Sequence, residues 1–279
     1  MLTSAPPQAR WLGVVLGRET LQRVARALAP QGIAVAPLKG VLLAHTVYAD
    51  PIDRPSIDVD VLVPEARFDD ALAVLRGLGF SAIAGASVRS DAERCLRHPE
   101  HPVVLDVHRM LFAPHRYTLS TGAVLARARR DTKLFDAPVL LLDPMDLYAH
   151  LVGHFANDHV DARDTLHVED LVAVARVHAL DPRDTAHRLV ASGLSRAARY
   201  TLSVVVAARD DAFAAGVLRA LPRDPMGTAL ARLARVVVER SAPRSSLGTP
   251  LAYALDHSLV AATRAALHAL VRTWFPSRP

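Results

Sequence analysis

Asp58 and Asp60 stand two residues apart in the run Ile57-Asp-Val-Asp-Val-Leu-Val63. Alternation and β-branched content predict a strand there. Side chains two apart on a strand share a face, so both carboxylates point the same way. Ile57, Val59, Val61 and Val63 then belong to the opposite, buried face. Adjacent carboxylates repel each other, and burying them is costly unless a cation sits between them. Hard oxygen ligands of this kind suit a divalent ion, magnesium first among them. The plain alternative is a pair of edge-strand acids facing water, the natural reading of an isolated Asp-x-Asp.

Three neighbouring features weigh against that alternative. Lys39-Gly40 falls where a short strand turns into a helix. Glycine there lets the backbone approach a ligand closely, a helix start offers N–H groups to a phosphate, and Lys39 can add a point charge to a triphosphate. Arg54, in the loop before the aspartates, is either a phosphate contact or brace for them, or an ordinary solvated arginine. Asp106, in Val104-Leu-Asp-Val-His108, lies on an alternating strand with His108 on the same face. A third carboxylate on a neighbouring strand would complete a two-metal site for phosphoryl transfer or act as general base for an attacking hydroxyl. His108 reads first as a hydrogen-bonded core histidine.

The elements that must hold these groups follow from periodicity. Residues 10–29 form an amphipathic helix through Leu21, Val24, Ala25 and Leu28, stopped by Pro30 and Gly32. Residues 33–37 read as a strand, 40–48 as a brief helix and 49–56 as a loop. Pro64 opens a helix whose face is Phe68, Ala71, Leu72 and Leu75, with Gly79 at its end. A strand-like stretch near 80–84 is followed by a polar segment containing Cys95, then a strand over 103–108. Residues 134–142 add a strand or hairpin arm around Asp136-Ala-Pro. Beyond Asp143, with Asp143 as N-cap and Pro144 at the first helical position, only helical periods occur. They break near Asp181-Pro, Gly193, Pro222–Pro225 and Ser241–Pro250, and residues 245–250 read as a mobile loop. The expectation is an α+β fold: a small mixed sheet with flanking helices over 1–142, then an all-helical domain over 143–279.

Composition narrows the class. Of 279 residues 51% are hydrophobic, enough for a substantial core and against a disordered chain. Lys and Arg number 33 against 28 acids, a net +5, but the arginines are spread among the acids without a dense basic block. A nucleic-acid partner is therefore not expected. The single cysteine excludes an intrachain disulfide and a cysteine zinc cluster. Trp11–Gly17 is a short apolar stretch between Arg10 and Arg18, which does not match a signal peptide. No apolar run approaches the ~20 residues that span a bilayer. A cytoplasmic protein without a membrane partner is expected.

Taken together, Leu38-Lys-Gly, Tyr48-x-Asp-Pro, Arg54-Pro-x-x-Asp-x-Asp-x-Leu-Val and Leu105-Asp-x-His resemble the uncharacterised nucleotidyltransferase family of bacteria, within the polymerase-β-like nucleotidyltransferases. The match is strongest over residues 36–63. In the helical half Leu142-Asp-Pro-x-Asp, His154 and Asp170 also look like the family's pattern. Gly40 is followed by Val41, where the wider superfamily usually has serine. The resemblance implies Mg²⁺-dependent transfer of a nucleoside monophosphate from an NTP, with ATP the expected donor, to a hydroxyl acceptor. It implies Asp58, Asp60 and Asp106 as metal carboxylates, and Lys39 and Gly40 at the phosphate-facing turn, with Arg54 beside them. The alternative is a catalytically inactive nucleotide-binding or partner-binding module of antitoxin-like type. His150 and His154 share a helix face with Asp146, and His159 follows. They lack the glutamate of a His-Glu-x-x-His zinc site, so polar contact between helices, such as His154 with Asp170, is the expected role.

Overall fold

The structure is a computed structural model that describes residues 6–83, 92–158 and 165–240. The chain divides into two compact units, Met1–Leu111 with Ser120–Asp143, and Phe112–Leu119 with Pro144–Pro279.

In the first unit, α1 (Pro7–Leu28) starts at a proline and buries a stripe of Gly17, Thr20, Leu21, Val24, Ala25 and Leu28, the helical spacing of one core-facing side. A 3₁₀ turn at Ala29–Gln31 ends at Gly32, whose φ of 65° is left-handed. The chain then forms β1 (Ala36–Leu38), α2 (Lys39–Thr46), β2 (Asp58–Leu62) and α3 (Phe68–Gly77). The foreseen α3 face of Phe68, Ala71, Leu72 and Leu75 is buried. Next come β3 (Ser81–Ala82), β4 (Glu93–His98), β5 (His101–His108), α4 (Thr121–Arg127), β6 (Arg129–Asp131) and β7 (Val139–Leu141).

The main sheet is mixed, in the order β1-β2-β5-β4-β3. Its β2–β5 pairing is parallel and the others are antiparallel. Val59, Val61 and Leu105 are fully buried. α1 covers this side: a Cβ built on Gly17 would lie 3.8 Å from a Val59 methyl. The smaller β6–β7 sheet is tied to the chain entering β1 by a hydrogen bond from Leu140 N–H to Val35 O, 2.8 Å.

Three elements depart from the sequence expectation. The segment around Cys95 is a strand, β4. It carries no apolar alternation because Glu93, Arg94 and Arg97 occupy positions that solvent still reaches, and its backbone is fixed by partners on both sides, β3 and β5. Only Val139–Leu141 of residues 134–142 is a strand, and its hairpin partner β6 lies upstream; Asp136 takes a left-handed turn at φ 47°. α4 begins at Ser120, whose side chain accepts from Ala123 N–H. Ala84, at the end of the foreseen stretch 80–84, lies outside the described residues.

The second unit is helical among the described residues: α5 (Pro144–Asp158), α6 (Thr165–Val177), α7 (Pro182–Ala191), α8 (Ser195–Arg209), α9 (Ala212–Ala220) and α10 (Pro225–Arg240). Asp181 caps α7 by accepting from Arg183 and Asp184 N–H, and Gly193 breaks the next helix at φ 71°. A further break, at Asp210–Asp211, had no proline or glycine to mark it. Asp210 takes φ 49°, and Asp211 caps α9 through Ala214 N–H. Tyr148, Phe155 and Tyr200 fill the core. A Cβ on Gly153 would lie 2.5 Å from the Phe112 ring, so this glycine admits residues 112–119 to the helical unit. No helix among the described residues is long and apolar enough to cross a membrane. His159, the loop 245–250, the break at Ser241–Pro250 and the helical periods beyond 240 lie outside the described residues.

Candidate active site

The register of the sheet collects the candidate carboxylates. Asp60 on β2 lies opposite Asp106 on β5, and opposed residues of neighbouring strands share a face. Asp58, two residues before Asp60, is on that face as well. The same row continues outward. Leu38, the residue before Lys39, pairs with Asp60 on one side, and Cys95 on β4 pairs with Asp106 on the other. One step along, His108 is opposite Glu93. The face opposite to Val59 and Val61 is therefore a band of ionisable groups built on the middle of the sheet.

Asp60 is the most buried of the three aspartates, at 3% exposure. Lys39 Nζ lies 2.6 Å from its Oδ1, and His108 Nε2 donates to the same oxygen at 3.0 Å. His108 Nδ1 in turn lies 3.3 Å from Glu93 Oε2. Burial alone would raise the Asp60 carboxyl, but the Lys39 charge and the His108 hydrogen bond outweigh it and hold the group below the usual carboxylate range. Asp106 is shifted the other way. Burial pushes it up, the negative charges of Asp60 and Asp58 add to this, and a Cys95 hydrogen bond and the His108 charge oppose it. Asp106 Oδ1 has no hydrogen-bond partner among the described residues. Buried acceptors are normally satisfied, so this oxygen is a natural position for a cation or a donor.

The turn from β1 into α2 has an unexpected form. The left-handed residue is Lys39, at φ 44°, and not the glycine after it. A non-glycine residue there costs of order 1–3 kcal/mol and persists where the surroundings over-determine it; the ion pair to Asp60 is one such constraint. Gly40 does make room for a close approach, and what approaches in this structure is Ser56. A Cβ on Gly40 would lie 2.3 Å from Ser56 Oγ, and that hydroxyl donates to Asp58 Oδ1 at 2.7 Å. Arg54 is not a solvated loop arginine. It is 5% exposed and donates from Nη1 to Pro55 O at 3.0 Å.

Sequence reading thus reached Lys39, Gly40, Arg54, Asp58, Asp60, Asp106 and His108, and the structure gathers them at the β1–β2–β5 end of one sheet. It missed Ser56, Glu93 and Cys95. Glu93 and Cys95 enter only through the register of β4, a strand without an apolar signature. In the helical unit, His150 and His154 stack with ring centroids 6.0 Å apart, and His154 meets His167 of α6 at 5.8 Å. Asp146 is fully buried and pairs with Arg188 of α7. The His154–His167 ring contact joins α5 to α6, and the Asp146–Arg188 ion pair joins α5 to α7.

The chain is similar to the solution structure of the antibiotic-resistance factor ANT(2'')-Ia, at 15% identity and TM-score 0.47, over 65% of this chain and 91% of that one. It is also similar to an antigenic nucleotidyltransferase-like protein from Paracoccidioides brasiliensis, at 13% identity and TM-score 0.47, over 75% of this chain and 94% of that one. No curated protein matches the chain in sequence. The family model described as uncharacterised nucleotidyltransferase matches residues 15–208, a span that includes the whole carboxylate face, and the chain belongs to that family.

Proposed function

We propose that this protein moves a nucleoside monophosphate from an NTP, ATP being the first donor to test, to a hydroxyl of a small molecule or a protein, with Mg²⁺ as cofactor. The observation that carries the reading is the in-register pairing of Asp60 with Asp106, with Asp58 on the same face. The donor set fits a divalent ion. It consists of hard carboxylates, one of them with an oxygen lacking a partner and its carboxyl pushed up by burial and by the charges of the other two. Among the described residues no three His, Cys, Asp or Glu side chains already converge on a metal position. At Asp60 the positive charge is supplied by Lys39 instead.

Asp58 and Asp60 are the residues that would hold the ion, with Asp106 completing the set. When bound, the ion neutralises developing charge on the phosphates. The acceptor hydroxyl oxygen forms a bond to the α-phosphorus as the bond to the bridging oxygen breaks. Pyrophosphate leaves with the electron pair. The hydroxyl proton leaves to solvent water as this bond forms, because Asp106 Oδ1 would be committed to the ion. Lys39 turns from Asp60 to the triphosphate, and the first N–H groups of α2 face the same phosphates. His108 and Glu93 keep Asp60 oriented while Lys39 is away.

One observation favours a second reading, a silent nucleotide- or partner-binding module: the Lys39–Asp60–His108–Glu93 network balances Asp60 without any metal. The two readings part on one assay. Labelled NTPs, all four in turn, are screened against candidate acceptors for Mg²⁺-dependent pyrophosphate release. Turnover that disappears in Asp58→Asn and Asp60→Asn supports the enzyme. Turnover surviving in both variants refutes the carboxylate assignment.

A further inference from the structure

Ser56 occupies a confined place. A Cβ built on Gly40 would lie 2.3 Å from its Oγ and 2.7 Å from its Cβ, well inside any real contact, so only glycine leaves room for this side chain. On the other side a Cβ on Gly13 of α1 would come within 3.1 Å of Ser56 O. Behind it, buried Arg54 holds the loop by donating to Pro55 O. Held from three directions, the Ser56 hydroxyl donates to Asp58 Oδ1 at 2.7 Å. Asp58 is the first residue of β2 and half-exposed. Asp60, by contrast, is fixed by Lys39 and His108.

We infer that Ser56 is a positioning residue for Asp58, and that Gly40 is a glycine because Ser56 must lodge against it. The inference rests on the reading of Asp58 as a metal-holding carboxylate. The hydroxyl sets the rotamer of a ligand that would otherwise sample several, and partners of this kind are commonly worth 10–100-fold in metal affinity or activity. It also gives Lys39-Gly40 a second use. The turn that aims Lys39 at Asp60 seats, one residue later, the serine that aims Asp58, so a single local conformation orients both members of the pair.

The test uses the full chain and Mn²⁺ as probe. Ser56→Ala should weaken Mn²⁺ binding to the nucleotide-free protein about tenfold, with its thermal midpoint close to that of the parent. The Mg²⁺ concentration for half-maximal turnover should rise by a similar factor, and saturating Mg²⁺ should restore turnover. A merely structural role would lower the midpoint and resist that rescue, which overturns the inference. Gly40→Ala should be severe alone but add little to Ser56→Gly, because the serine it collides with is gone; equal cost in both backgrounds overturns the packing argument. If Ser56→Ala binds Mn²⁺ like the parent while Asp58→Asn loses it, the Ser56 role falls and the carboxylate reading stands. If Asp58→Asn binds Mn²⁺ like the parent, the carboxylate reading itself falls.

Discussion

Replacing Lys39 by methionine keeps most of the side chain's length and removes the charge from Asp60. The Nζ–Oδ1 separation is 2.6 Å, and the two side chains are 14% and 4% exposed. At an effective dielectric of about 20, two unit charges at that distance attract by about 6 kcal/mol before the cost of dehydrating them. Removing one partner of a buried pair typically costs about 3–5 kcal/mol, because the other charge is left behind. His108 still donates to the same oxygen, which puts the expected loss near the lower end, about 3 kcal/mol and about 10 °C in melting temperature. The Asp60 carboxyl is held below its ordinary value in the parent. The pair's contribution is therefore fully present above the unfolded carboxylate pKa and is lost as the pH falls through the depressed folded value. The gap between parent and variant should be complete at pH 7 and close only in strong acid. If Lys39 fills the role of the ion's charge, the variant should also bind Mn²⁺ more tightly without nucleotide, by up to about 100-fold for that 3 kcal/mol. Thermal melts at pH 7 with and without Mn²⁺, beside direct Mn²⁺ titration, read both effects. A variant as stable as the parent at pH 7, or one that Mn²⁺ stabilises no more than the parent, would refute the reasoning.

Asp106→Asn should raise the melting temperature of the metal-free protein at pH 7 while abolishing transfer. The raised Asp106 pKa means that the folded state is penalised as the pH rises from the unfolded value through the folded one; the gain should vanish below pH 4, and a variant less stable than the parent at pH 7 contradicts it. Arg188→Met removes a cation from fully buried Asp146, and should cost about 3–5 kcal/mol in urea unfolding followed by a probe in the helical unit. A loss under about 1 kcal/mol would mean that the pair contributes no more than a surface bridge.

Local chemistry made part of the site legible. The β-branched alternation around Asp58 and Asp60, and the lysine and glycine closing a short apolar run, are signals carried by a few adjacent residues. Asp106 was readable because β5 alternates cleanly. Glu93 and Cys95 were not, because β4 is held by pairing on two sides and its side chains advertise nothing. Ser56 was hidden for another reason: its place is defined by empty space at Gly40, sixteen residues away, and glycine in a turn has many causes. Lys39 was read as a phosphate contact, and its ion pair with Asp60 depends on a left-handed backbone that lysine seldom adopts. In the helical half, proline and glycine marked most breaks, while the Asp210–Asp211 break rests on a side-chain cap and a left-handed aspartate.

The decisive structural fact is the parallel pairing of β2 with β5. β2 and β5 are separated in sequence by α3, β3 and β4, yet Asp60 meets Asp106 in register. A slip of one residue would turn Asp106 away to the face that packs on α1 and bring a core residue, Leu105 or Val107, against the aspartates. That slip would bury a carboxylate among apolar groups and expose a fully buried side chain, so the hydrophobic pattern of β5 defends the register. The same alternation that seats Leu105 and Val107 in the core therefore presents Asp106 to Asp60. The carboxylates are held on one face because the apolar side of the strands fixes them there. Lys39 and His108 offset the cost at Asp60, and Asp106 retains it. A site of this kind should be least stable when empty, and a cation that relieves Asp106 should stabilise the sheet as it binds.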